Sequence, residues 1–223
     1  MERPIISFPS LGIEIDPPES FSLFGLDIHL YGLVITVGFA LAVLYCAHRA
    51  KDFGLKEEHV YDVIIWALPI GIIGARAYYI IFNYGEFAGH PERFIQIWNG
   101  GLAIYGGIIA GVLTAVTVCK IKRIRIPSFL DLGGFGLLIG QLCGRWGNFF
   151  NREAFGSETA SFLRMGLTTA QGTLYVHPTF LYESLWNLAG FIALHVWTKR
   201  HARTFDGQVF LLYVLWYGLG RAW

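Results

Sequence analysis

Six apolar stretches, at residues 30–47, 60–82, 102–119, 129–148, 179–198 and 207–223, divide the chain and leave little between them from which to build a soluble core. A helix crossing the hydrocarbon of a bilayer needs roughly 20 mostly apolar residues, and each stretch approaches that length. The fold predicted is therefore all-α: a single polytopic transmembrane helix bundle over residues 1–223 with six spans. The composition agrees, because 54% of residues are hydrophobic and only 15% are charged, where soluble domains carry about 25% charged residues. The segments 83–101 and 149–178 are more polar and read as loop insertions that make a small head on one face of the membrane. No cleavable leader is expected, since the stretch through Asp27 is acidic and no long apolar run precedes Leu30.

Charge orients the bundle. Arg49, Lys51 and Lys56 follow the first span, Lys120, Lys122, Arg123 and Arg125 the third, and Lys199, Arg200 and Arg203 the fifth. These alternate loops hold more than half of the 17 Lys and Arg residues and must share a side of the membrane. The positive-inside rule makes that side cytoplasmic, with the N-terminus and both polar insertions outside. A net charge of +1 argues against a nucleic-acid partner. Cys46, Cys119 and Cys143 are too scattered for a disulfide framework or a zinc site. No metal or nucleotide motif is present, so no metal and no cofactor is expected.

With that orientation, polar residues inside the spans gather near the outer boundary. Arg76, Arg145 and Arg221 fall toward the outer parts of the second, fourth and sixth spans, with Tyr31, Tyr105 and Glu183 at a similar level. An arginine within a membrane costs roughly 2.5–3.5 kcal/mol on insertion scales, unless it snorkels or pairs. Three arginines at one depth with few acids suit the phosphate of an anionic lipid headgroup, which guanidinium binds bidentately. Gly136, Gly140 and Gly144, and Gly107 with Gly111, follow a small-xxx-small rhythm that reads chiefly as helix packing. Gly100–Gly101 and Gly106–Gly107 flank Tyr105 and would equally let a lipid approach the backbone.

The most specific segment is Gly144-Arg145-Trp146-Gly147-Asn148-Phe149-Phe150-Asn151-Arg152-Glu153-Ala154-Phe155-Gly156. It resembles the signature of the phosphatidylglycerol:prolipoprotein diacylglyceryl transferase family, G-R-x-G-N-F-x-N-x-E-x-x-G, with every fixed position present. Tyr31-Gly32-Leu33, Gly100-Gly101, Gly106-Gly107, His177-Pro178 and Leu181-Tyr182-Glu183 carry the resemblance from about Phe21 onward. It implies a seven-span enzyme of the bacterial inner membrane, N-terminus outside, that takes phosphatidylglycerol and a prolipoprotein signal peptide with its lipobox cysteine. The diacylglyceryl group would pass to the thiol as a thioether, with release of glycerol phosphate, opening lipoprotein maturation. By this resemblance a further glutamate and a seventh helix are expected after Arg221, so the chain reads as C-terminally truncated.

Catalytic roles then fall to Arg145 and Arg221 on the phosphate, with Glu153 as base or as the partner of Arg145, and with Tyr105. Some relatives carry histidine at the position of Tyr105; a phenol is a poor base at neutral pH, so Tyr105 positions substrate or the base lies elsewhere. Tyr31, Arg76, Asn148, Asn151, Gly156, Gly106 and Gly107 are the expected substrate-binding residues. Glu183, Tyr182 and His177 read as structural, and His48, His59, His90 and His201 carry no assigned role. A transporter would place polar residues near mid-bilayer with an inverted repeat. A scaffold would leave the arginines unexplained, and an intramembrane protease would want Ser/His or paired Asp in its spans.

Overall fold

The structure, a computed structural model, describes residues 4–23 and 26–222. All six expected helices are present, each within a turn of its expected ends: α1 (Leu30–Arg49), α2 (Glu57–Phe82), α4 (Ile104–Ile121), α5 (Ile126–Asn151), α6 (Thr179–Arg200) and α7 (Gln208–Ala222), with a single-turn α3 (Tyr84–Phe87) after α2. Among the described residues four helices, α1, α2, α4 and α5, are long and apolar enough to cross a membrane. The other two fall short of that standard. α6 is diluted by Tyr182, Glu183, Ser184 and Asn187, and α7 has 15 described residues.

Among the described residues, six short strands correct the prediction of an all-α chain. β1 (Ile5–Phe8), β2 (Ile13–Ile15), β5 (Met165–Thr169) and β6 (Gly172–Val176) form an antiparallel sheet in the order β2-β1-β5-β6, and β3 (Ser20–Leu23) pairs with β4 (Leu26–His29). The strands have three to five residues, too few for alternation to stand out. The central pairing of β1 with β5, Ile6 opposite Leu167, joins segments far apart in the sequence. No local pattern announces such a pairing.

Two compact units make up the chain, Met1–Tyr45 with Gly133–Trp223, and Cys46–Leu132. In the first, the sheet lays Ile6, Met165, Leu167 and Val176 against Phe149 and Phe180, at the end of α5 and the start of α6. Each such side chain contributes about 1.5–3 kcal/mol when fully buried. Arg152 ties the N-terminal segment to this core. It is 9% exposed, donates from Nε to Pro4 O (2.6 Å) and from Nη2 to Pro17 O (3.1 Å), and pairs with Asp16.

Within the same unit α6 and α7 are locked by a reciprocal clasp. The rings of Trp186 and Trp216 stack 4.3 Å apart. Trp186 Nε1 donates to Trp216 O (3.1 Å), and Trp216 Nε1 donates to Trp186 O (3.0 Å). The residues four positions after each tryptophan are Gly190 and Gly220, and a Cβ at either would collide with the opposite indole. The clasp thus fixes α7, and with it Arg221, against α6.

In the second unit α2 and α4 make the closest helix pair. A Cβ on Gly107 would sit 3.5 Å from Gly71 O and 3.5 Å from Ala75 Cβ, while one on Gly106 would strike Gly74 O and Tyr78 Cβ. These glycines serve backbone-to-backbone approach. Gly140, by contrast, has nothing within 4 Å of its Cβ position among the described residues, so close packing does not account for it.

Candidate active site

Three helices of the first unit bring Arg145, Glu183 and Arg221 together. Trp146 Nε1 donates to Ser184 Oγ (3.0 Å), and Ser184 Oγ donates to Leu142 O (3.2 Å), which pins α6 to α5. The neighbouring residues then meet: Arg145 Nη2 lies 2.6 Å from Glu183 Oε2. Arg221 Nη1 approaches the same oxygen at 3.8 Å. One carboxylate oxygen therefore serves two guanidinium groups, leaving a net positive charge and N–H donors beyond those Glu183 can occupy. The Arg221 side chain is 59% exposed, so the cluster is open to an incoming anion. Ring-flat, fork-shaped donors beside helix ends are the geometry a phosphate accepts.

Glu183 is the partner of Arg145, and Glu153 is not. Glu153 Oε1 instead accepts from Asn148 Nδ2 and Asn151 Nδ2, both at 3.2 Å. Its backbone amide donates to Asn148 O (3.0 Å), closing the turn that ends α5. Arg152 and Ala154 adopt left-handed conformations, with φ 55 and 52, so the chain reverses there. The reversed segment is then fastened to the start of α6. Gly156 N donates to His177 O (3.0 Å), His177 N donates to Ser157 O (3.1 Å), and Thr179 Oγ1 donates to Ala154 O (2.6 Å). A Cβ on Gly156 would lie 2.9 Å from His177 Cβ and 3.0 Å from Thr179 Cγ2. Tyr31 joins from α1, its ring so close to Gly147 that a Cβ there would be 2.8 Å away.

The remaining candidates belong to the second unit. Tyr105 sits in the first turn of α4 and is 68% exposed. Gly106 and Gly107 are the helix-packing glycines described above, and contact with α2 accounts for their missing side chains. Arg76 is 8% exposed and turns its guanidinium onto backbone carbonyls. Nε donates to Phe94 O (3.0 Å), Nη1 to Gly100 O (2.8 Å) and Gly101 O (2.9 Å), and Nη2 to Arg93 O. Phe87 lies under it, 5.1 Å from ring centre to Cζ. Gly101, with φ 74, leaves room for both Arg76 and Tyr79. Arg76 thus organises the segment 93–101 and one wall of a cleft of about 410 Å³ lined also by Tyr79, Phe87 and Arg93.

Sequence reasoning missed two residues that shape the site. Arg152 occupies an unconstrained position of the signature, and its partners Pro4, Asp16 and Pro17 are remote in sequence. Trp186 carried a weak signal: Trp186/Gly190 and Trp216/Gly220 repeat one spacing on successive helices. Among the described residues no cluster of three or more His, Cys, Asp or Glu is placed to hold a metal ion.

Comparison with known proteins gives a consistent result. A family model described as prolipoprotein diacylglyceryl transferase matches residues 18–223. Phosphatidylglycerol–prolipoprotein diacylglyceryl transferases from Streptococcus pyogenes serotype M5 (strain Manfredo) and serotype M49 (strain NZ131) are each 40% identical to it over 201 residues. That alignment covers 88% of this chain and 77% of each relative.

Proposed function

The chain belongs to the prolipoprotein diacylglyceryl transferase family, and from that membership we propose that it moves the diacylglyceryl group of phosphatidylglycerol to the lipobox cysteine of a prolipoprotein. The observation that carries this reading is the cluster Arg145–Glu183–Arg221, a net positive site beside the signature loop. Phosphatidylglycerol brings one anionic phosphate, which the two guanidinium groups hold. The cysteine sulfur attacks the glyceryl carbon bonded to phosphate oxygen. A C–S bond forms, the C–O bond breaks, and its electron pair leaves on glycerol phosphate. Arg145 and Arg221 stabilise charge growing on that leaving group, where a partly dry site strengthens the interaction.

The thiol proton must go to a base. Both Asn148 and Asn151 donate to Glu153 Oε1, so Oε2 is the atom left to accept it, with the two amides holding the carboxylate still. Gly156 and Tyr31 shape the loop and its approach to α1. In the second unit, Arg76, Gly106 and Gly107 act through the fold. The test is incubation of the membrane-reconstituted protein with phosphatidylglycerol and a lipobox peptide, read by mass spectrometry. One diacylglyceryl added per cysteine, with glycerol phosphate released, is the expected result. An unmodified peptide beside intact lipid would overturn it.

For localisation we propose a multi-pass protein of the bacterial plasma membrane with its N-terminus and the 149–178 segment outside. The support is the clustering of Lys and Arg in alternate loops. Reporters fused after Lys56, Arg123 and Arg203 should report cytoplasm, and one fused after Glu158 the outer face. Arg123 on the outside would remove the common depth assigned to the arginines.

A further inference from the structure

Asn187 lies on α6, one turn beyond Glu183, and is 4% exposed. Its Oδ1 is fully enclosed and has no hydrogen-bond partner among the described residues. The side chain lines a pocket of about 20 Å³ together with Glu183, Trp186, Tyr217, Gly220 and Arg221. An enclosed amide oxygen without a donor costs free energy that a correctly placed donor would recover. The pocket has room for one small polar group, of the order of a single water. Its walls are set in advance by the Trp186–Trp216 clasp, which holds Gly220 over the Trp186 indole.

Resting on the function proposed above, we infer that Asn187 is the residue that selects the headgroup, receiving a hydroxyl of the lipid's terminal glycerol while Arg221 and Arg145 hold the phosphate. A hydroxyl fits the space, and it supplies the missing donor once the Asn187 amide turns its enclosed oxygen toward the pocket. An ammonium headgroup, though also a donor, would meet the net positive charge of the two arginines over one carboxylate. The choice of lipid is therefore made beside the phosphate clamp, by one neutral amide that takes a hydroxyl and by the charge of the two arginines that disfavours an ammonium. A site built to bond a hydroxyl rejects an analogue lacking it, because its buried polar group is then left unpaired.

The experiment compares phosphatidylglycerol with phosphatidylethanol, which keeps the phosphate and both acyl chains but has no headgroup hydroxyl. The wild-type protein is expected to favour phosphatidylglycerol by at least about tenfold in kcat/KM. Asn187→Leu should lower kcat/KM for phosphatidylglycerol by about tenfold and change that for phosphatidylethanol by less than about twofold, so that the preference disappears. Its thermal midpoint should match or exceed that of wild type, because leucine removes the unpaired acceptor. Equal use of both lipids by the wild type would overturn the proposal and leave the pocket to water, and this measurement needs no variant. An equal loss on both lipids in Asn187→Leu would also overturn it, reducing Asn187 to a structural residue. Failure of the wild type with both lipids would instead overturn the transferase function, and the headgroup role with it.

Discussion

Replacing Arg145 by lysine should cost at least about tenfold in phosphatidylglycerol turnover, equivalent to roughly 1.4 kcal/mol of transition-state stabilisation. Lysine keeps the charge and a long apolar stem, so it preserves whatever Arg145 does as an anchor at the membrane boundary. What it loses is geometry. Arg145 Nη2 is engaged by Glu183 at 2.6 Å, and a guanidinium still has further N–H donors, rigidly splayed, for a phosphate. A lysine ammonium bonded to Glu183 has no fixed fork to offer. Arg145→Ala would not separate the two roles, because either would suffer. The measurement is turnover in reconstituted membranes, normalised to folded protein. Near wild-type turnover in Arg145→Lys would sink the phosphate clamp and return Arg145 to structure.

The second large effect belongs to Arg76 and concerns stability. Arg76→Met should destabilise the second unit by about 3 kcal/mol, since hydrogen bonds to a charged group are worth roughly 1.5–3 kcal/mol each and exposed carbonyls regain part of this from water. Four carbonyls, from Arg93, Phe94, Gly100 and Gly101, converge on this one guanidinium. Methionine fills similar space and offers no donor. Hydrogen exchange should show the amides of residues 93–101 losing protection, together with a lower thermal midpoint. Arg76→Lys should not restore it, because one ammonium cannot reach carbonyls arranged around a planar fork. An Arg76→Met protein that is fully stable but binds phosphatidylglycerol weakly would contradict this and make Arg76 a lipid ligand.

These two arginines mark the limit of what could be read in advance. Both stood out for one reason, a cation within an apolar stretch, and that reason does not distinguish between them. Arg145 meets a carboxylate that Arg221 also approaches; Arg76 meets backbone carbonyls and the Phe87 ring of its own unit. Gly106 and Gly107 were ambiguous in the same way, since a missing side chain lets either a helix or a lipid approach. Their neighbours Gly74 and Gly71 decide for a helix.

The sequence by itself determined that this chain makes long apolar helices, where they begin and end to within a turn, and which family it belongs to. The reason is that span length, apolarity and turn residues act on neighbouring residues, and a thirteen-residue signature is contiguous. Only the tertiary structure decided which acid pairs with Arg145. Glu153 is nearer in sequence, yet the turn closed by Asn148 and Asn151 turns it to other partners, while Ser184 and Trp146 bring Glu183 across from α6. The sheet was decided at the same level, because β1 pairs with β5, which follows it only after five intervening α-helices. Helix periodicity sets contacts three or four residues apart; contacts between helices depend on how their faces pack, and that is where the site is assembled.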